Sequence, residues 1–100
     1  MQFDNSTPKT SGSDDIAVTK KPRWIVVIIT TSNSSGIVLF GIVDVLNNIA
    51  YRKGYWDSAA RTWSTWTNYT SYFTTISDTK VTYNYGGWGG LHRVYINIYY

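Results

Sequence analysis

The chain has 100 residues and a formal net charge of +3, and it is long enough for one domain with a modest hydrophobic core. It contains no cysteine, which excludes disulfide bonds and thiolate metal sites. This net charge is small, whereas nucleic-acid-binding domains usually carry a dense basic face.

Amino-acid usage favours β-structure. The chain has no glutamate, one glutamine and four alanines, so strong helix formers are scarce. Thr, Tyr, Ile, Val and Trp take their place, and these residues suit a pleated, half-buried surface. We therefore predict an all-β fold: an antiparallel β-sandwich or small barrel of six to seven strands over residues 23–100, preceded by a flexible N-terminal arm over residues 1–22.

The N-terminal arm is polar and holds both prolines, a composition typical of a flexible segment. Within it, Ile16, Ala17 and Val18 form a candidate strand, which can pair with an exposed sheet edge of this molecule or of a neighbour. No apolar stretch follows the charged start, so a classical secretory signal is not expected. The localisation stays open, with an extracellular or particle-surface location as one option.

Residues 24–43 form an apolar stretch close to the ~20 residues that a membrane span requires. The basic residues Lys20, Lys21 and Arg23 before it suit a membrane anchor. Residues 30–35 are all polar, however, and such a hexad predicts a turn. We therefore expect two strands joined by a loop, and no membrane span.

Residues 36–53 fit two structures. As a helix, the segment has Ser35 as a candidate N-cap and Gly54 as a candidate C′ residue. As a strand, the apolar run Ile37–Val43 suits burial on both faces. We favour a strand over Ile37–Val45, because β-branched residues lose side-chain freedom in a helix.

The C-terminal third of the sequence predicts three further strands, at residues 72–76, 80–85 and 91–100. Apolar and polar residues alternate in the last two, which is typical of antiparallel strands with one buried face. Residues 86–90 include four glycines between these strands, and we predict a loop there.

Aromatic rings recur at every third position from Trp63 to Tyr72, a spacing that fits neither a helix face nor a strand face. If residues 62–76 are extended, the rings point to both faces of the strand. Aromatic residues make up 17% of the chain, more than a small core is expected to bury, so we predict an exposed aromatic surface for binding or assembly. Its candidate residues are Trp56, Trp63, Trp66, Tyr69, Tyr72, Trp88, Tyr95 and Tyr99.

Catalytic chemistry is not expected from this sequence. The single histidine, His92, has no nucleophile motif near it. Asp44, Asp57 and Asp78 lie in separate segments, with no close pair for acid–base work. We predict no enzyme activity, no cofactor and no metal site.

Two functions fit these features. The first is a self-assembling structural subunit of coat, sheath or filament type, a homo-oligomer that uses the aromatic surface and strand exchange by the N-terminal arm. The alternative is a glycan- or cell-envelope-binding module, including a small bacteriocin-like toxin, whose rings stack on sugars. Nucleic acid is not the expected partner, because the cations that could neutralise it beside the rings are few: Arg52, Lys53, Arg61, Lys80 and Arg93.

Overall fold

The computed structural model describes residues 2–9, 12–31, 37–54, 62–85 and 92–100. Over these residues the chain forms nine strands and one short helix: β1 (Gln2–Lys9), β2 (Gly12–Ala17), β3 (Trp24–Thr31), β4 (Ile37–Asp44), β5 (Ile49–Gly54), β6 (Ser64–Thr65), α1 (Tyr69–Tyr72), β7 (Phe73–Ile76), β8 (Lys80–Tyr85) and β9 (His92–Tyr99). The prediction of a mainly β fold is confirmed. The strand count exceeds the predicted six to seven, since eight strands have four or more residues and β6 has two.

The strands form two antiparallel sheets. One has six strands in the order β1-β9-β3-β4-β5-β6, and the other has three in the order β2-β8-β7. β3 lies between β4 and β9 in the larger sheet, with Val27 opposite Gly41 on one side and Ile96 on the other. The centre of the larger sheet is therefore built from the most apolar segments of the chain.

Both sheets contribute to one hydrophobic core. Alternate residues are buried along each central strand, as expected when one sheet face packs inward. The buried sets are Ile25, Val27 and Ile29 in β3, Val94, Ile96 and Ile98 in β9, and Val81, Tyr83 and Tyr85 in β8. Each fully buried aliphatic side chain of this kind stabilises the fold by about 1.5–3 kcal/mol.

Residues 2–9 and 12–17 of the predicted N-terminal arm form strands of the two sheets, and the candidate strand within the arm pairs with an edge of its own molecule. β1 pairs with β9, and β2 pairs with β8, where Ile16 lies opposite Val81. Ile16 is buried in the core, so the segment gains apolar contacts as well as hydrogen bonds to an otherwise open edge. Ala17 ends β2, and the N–H of Val18 donates to the carbonyl oxygen of Thr79 at 3.0 Å.

Residues 37–53 form no helix, and the favoured alternative, a strand from Ile37, is the observed one. β4 ends at Asp44, one residue before the predicted end, and β5 begins at Ile49 after a turn. Asn48 has a positive φ of 55° in this turn, a conformation that asparagine tolerates well. No helix among the described residues is long and apolar enough to cross a membrane.

Candidate functional site

The segment with a ring at every third position is not one continuous strand. Trp63 precedes β6, Trp66 follows it, and Tyr69 and Tyr72 bound the single helical turn α1. Residues three apart lie on the same side of a helical turn, which explains the spacing of the two tyrosines. The supposition that residues 62–76 are extended throughout does not hold, and the strand predicted at residues 72–76 begins at Phe73.

Two of the predicted surface rings are buried, which corrects their assignment to a binding surface. Trp66 is 1% exposed and Tyr69 is also buried, while Tyr72 is half-buried. Trp66 packs over Gly41, since a Cβ atom built at Gly41 would lie 2.7 Å from the indole Cζ3. The absence of a side chain at Gly41 provides the space that the indole occupies.

Trp66 begins a chain of ring contacts that joins α1 to the smaller sheet. Its ring centroid lies 5.6 Å from that of Tyr72 and 6.2 Å from that of Phe73. Phe73 in turn meets the buried Tyr83 edge-on at 5.1 Å, and such pairs add about 0.5–1.5 kcal/mol beyond their area. The Tyr69 hydroxyl donates to Oδ1 of Asn48 and ties α1 to the β4–β5 turn. These ring contacts stabilise the fold.

The exposed rings lie on the opposite face of the six-stranded sheet. Paired residues on neighbouring strands share a face. Ile42 pairs with Val26 and Tyr51, and Ile28 pairs with Phe40 and Tyr95. The Trp63 ring meets Phe40 edge-on at 5.5 Å from the same side. We call this surface the outer face and define it by Val26, Ile28, Phe40, Ile42, Tyr51, Trp63 and Tyr95.

The outer face is mainly apolar, with the polar Asn97 opposite Val26, and it is open to solvent. Tyr51 is 43% exposed and Trp63 is 49% exposed, with Trp24 and the 52% exposed Tyr99 at one end of the same face. Covered Trp and Tyr side chains bury about 150–250 Å² each, so these four leave roughly 300–500 Å² of ring surface open. A patch of this size, extended by half-buried aliphatic residues, marks an interaction site more often than chance exposure.

The structure brings together only part of the predicted surface. Trp63, Tyr95 and Tyr99 lie on or beside the outer face, and Trp56 and Trp88 lie outside the described residues. Sequence reasoning missed Trp24 and Tyr51. The signal that could have found them is the run of Ile and Val in β3 and β4, which places apolar residues on both faces of the sheet and not only on the core face.

An ion pair between Arg23 and Asp44 lies at one end of the outer face. The Arg23 guanidinium donates to Oδ1 of Asp44 and lies 4.3 Å from the centroid of the Trp24 ring. The Asn47 side-chain amide donates to Oδ2 of Asp44 at 2.8 Å. This amide, the Asn47 N–H and Arg23 hold the pKa of Asp44 below its ordinary value, against the opposing effect of desolvation.

This lowered pKa predicts an acid-dependent loss of stability. The unfolded chain binds the Asp44 proton more tightly than the folded chain, so the contribution is fully present above the unfolded pKa. It is lost as the pH falls from 3.8 through the lower folded-state pKa. Urea unfolding of Asp44→Asn should therefore show less stability than the parent at neutral pH and a shrinking difference in acid. Asn47→Ala should show part of this loss of stability. A loss of the same size at every pH would contradict the lowered pKa of Asp44.

A pocket of about 370 Å³ lies beside the β4–β5 turn. Its lining has no charged group and combines apolar surface with hydroxyl and amide groups: Asn48, Ile49, Ala50, Thr65, Trp66, Thr67, Tyr69 and Thr70. Such a lining suits a small neutral ligand with hydroxyl groups, for which apolar walls and a few polar groups provide contact and orientation.

The described residues contain no group of three or more His, Cys, Asp or Glu side chains that could hold a metal ion. The side chain of His92 and all of Asp57 lie outside what the structure describes, so their predicted lack of a catalytic role stays a prediction. Comparison of the chain with protein-family models, with curated proteins and with solved structures found no match.

Proposed function

We propose that this protein is a non-enzymatic, self-assembling structural subunit of coat, sheath or filament type, and that its outer face is the main contact between copies. In this proposal the two sheets face each other as a β-sandwich and assembly covers the remaining side of the larger sheet. The observation that carries the proposal is the outer face itself: an apolar, aromatic surface over the two central strands of a six-stranded sheet.

The composition of the outer face favours a second copy of the chain as its partner. Strands that are apolar on both faces are typically covered on both faces. The ion pair of Arg23 with Asp44 is at one end of the face, and Lys53 pairs with Phe40 at its rim. Two copies can therefore meet face to face about a twofold axis without bringing like charges into the centre of the contact.

A face-to-face pair closes as a dimer, so a filament or coat needs a second contact. The first strand provides one. β1 is an edge strand that pairs with β9 alone among the described strands, and the exchange of an identical element between copies is a low-cost route to association. In the assembly, β1 of one copy pairs with β9 of the next and satisfies the same backbone groups. β2 stays with its own molecule, because Ile16 is part of the core.

The substitution Tyr51→Lys tests the face contact. It places a charge where two copies would exclude water, so we expect at least a tenfold loss of association affinity. Thr74→Lys is the matched control, since Thr74 is an exposed strand residue of the smaller sheet. Light scattering and electron microscopy should show assemblies far above 11.4 kDa for the parent and for Thr74→Lys, and smaller or thinner assemblies, joined by strand exchange alone, for Tyr51→Lys.

Deletion of residues 1–11 tests the strand contact separately. The shortened chain should stop at the dimer, and combining the deletion with Tyr51→Lys should give monomers. A parent chain that is monomeric at every concentration would overturn the proposal.

A second candidate, a glycan- or cell-envelope-binding module, is favoured by the uncharged pocket beside the β4–β5 turn. Trp66 and Tyr69, two of the predicted binding residues, line it together with three threonines. Saccharide binding to a monomeric parent, weakened by Thr70→Val at the pocket and not by Tyr51→Lys, would support this function in place of assembly.

A further inference from the structure

Cations and exposed apolar side chains meet at one end of the six-stranded sheet, where β3 begins and β4 and β9 end. A pocket of about 360 Å³ lies there, lined by Lys20, Lys21, Pro22, Arg23, Val45, Leu46 and Tyr100. We call this region the basic end. Its parts are held together by the backbone, because the N–H of Arg23 donates to Tyr99 O at 2.8 Å and the N–H of Val45 donates to Arg23 O at 3.1 Å.

The apolar groups of the basic end point into solvent. Leu46 is 73% exposed at the tip of the β4–β5 turn, and Tyr99 and Tyr100 are exposed beside it. Trp24 is exposed on the adjoining end of β3, opposite Tyr99. A single exposed leucine needs no explanation, but a leucine flanked by three rings and three cations forms an amphipathic surface.

The charge of the basic end is positive. Asp44, the nearby acid, is already paired with Arg23, and Lys20 and Lys21 are exposed with no acidic partner among the described residues. The Lys20 ammonium lies 6.0 Å from the centroid of the Tyr100 ring. Two lysines thus remain available to an anionic partner beside a pocket with apolar walls.

We propose that the basic end docks on the surface of an anionic lipid bilayer. Lys20 and Lys21 contact the phosphate groups, while Leu46 and the rings of Trp24 and Tyr100 enter the interfacial layer that Trp and Tyr favour. Nucleic acid fits less well, since an exposed leucine offers nothing to a phosphate backbone but gains from contact with acyl chains. Trp24 lies at the end of the outer face, but neither lysine belongs to that face, so the lysine variants test this docking separately from the outer-face contact.

Flotation with vesicles tests the docking without confusion from self-assembly, since assemblies alone do not float. At about 0.1 M salt, the full chain should float with vesicles of phosphatidylserine and phosphatidylcholine, and not with phosphatidylcholine alone. Lys20→Gln and Lys21→Gln should each weaken binding about fivefold, and Leu46→Ser about tenfold. All three residues are exposed, so the variants should fold. Lys53→Gln is the matched control. Lys53 is four residues after Ile49, the β5 residue opposite Asp44, so it lies away from the basic end and its loss should change binding less than twofold.

Three results would overturn the proposal. The first is equal flotation with neutral vesicles, and the second is an equal loss for Lys53→Gln and Lys20→Gln. The third is displacement from vesicles by inorganic phosphate, or by a single-stranded oligonucleotide, at a matched ionic strength. Displacement by phosphate would assign the pocket to an isolated anion, and displacement by the oligonucleotide would assign the basic end to nucleic acid.

Discussion

Truncating Trp66 to alanine should lower the free energy of unfolding by about 3–5 kcal/mol, the range for removing a large ring from a packed core. Trp66 is 1% exposed and contacts Gly41, Tyr72 and Phe73. Domains of this size are typically stable by about 5–10 kcal/mol, so the variant should be close to half unfolded in mild urea. Equilibrium urea unfolding followed by far-ultraviolet circular dichroism measures the loss.

The matched control is Trp63→Ala, the same change three residues earlier in the chain. Trp63 is 49% exposed and has one ring contact within the described residues, to Phe40, so its loss should cost about 1 kcal/mol or less. Trp66→Phe separates ring volume from hydrogen bonding. The Trp66 Nε1 atom is buried without a hydrogen-bond partner among the described residues, so phenylalanine should cost clearly less than alanine. Equal losses for Trp63→Ala and Trp66→Ala would contradict the structure.

The sequence predicted the strands well because their signals are local. Alternation at residues 80–85 and 91–100 predicted β8 and β9 to within one residue at each end. The continuous apolar run after residue 36 predicted β4 in the same way. Alternation in β8 and β9 and a continuous run of apolar, β-branched residues in β4 are both local patterns along the chain, so one sequence suffices to see them.

The candidate site could not be predicted in full, because it depends on contacts between distant residues. Nothing near Trp66 in the chain indicates burial, since its neighbours are Ser, Thr and Asn. Its burial depends on Gly41, 25 positions away in the chain. Because Gly41 has no side chain, it leaves the space that the Trp66 indole occupies. Similarly, residues 12–17 look like a polar arm until the β8 edge provides partners for their backbone and a core position for Ile16.

Gly41 is the other half of this long-range contact, and Gly41→Ala should cost about 1–3 kcal/mol. The sign of the effect is informative. A glycine inside a strand is less favourable than alanine by about 0.5–1 kcal/mol, so the substitution would stabilise the protein if space were open. The new Cβ would instead lie 2.7 Å from Trp66 Cζ3 and 2.9 Å from Val27 Cγ1. Both side chains are buried, and neither can move aside without disturbing the core.

A double-mutant cycle decides whether the indole is the cause of this loss. In a Trp66→Ala background the space beside residue 41 is open on the indole side, so Gly41→Ala should cost clearly less, with the 2.9 Å contact to Val27 Cγ1 as the remaining part, and the two changes should not add. Gly12→Ala is the control, because Gly12 has a φ of +118° and no heavy atom within 4 Å of an added Cβ. Its cost comes from backbone strain and should be the same in both backgrounds. An unchanged cost of Gly41→Ala without the indole would mean that Trp66 does not pack over the centre of β4, and the assignment of the outer face as the uncovered side of that strand would fail with it.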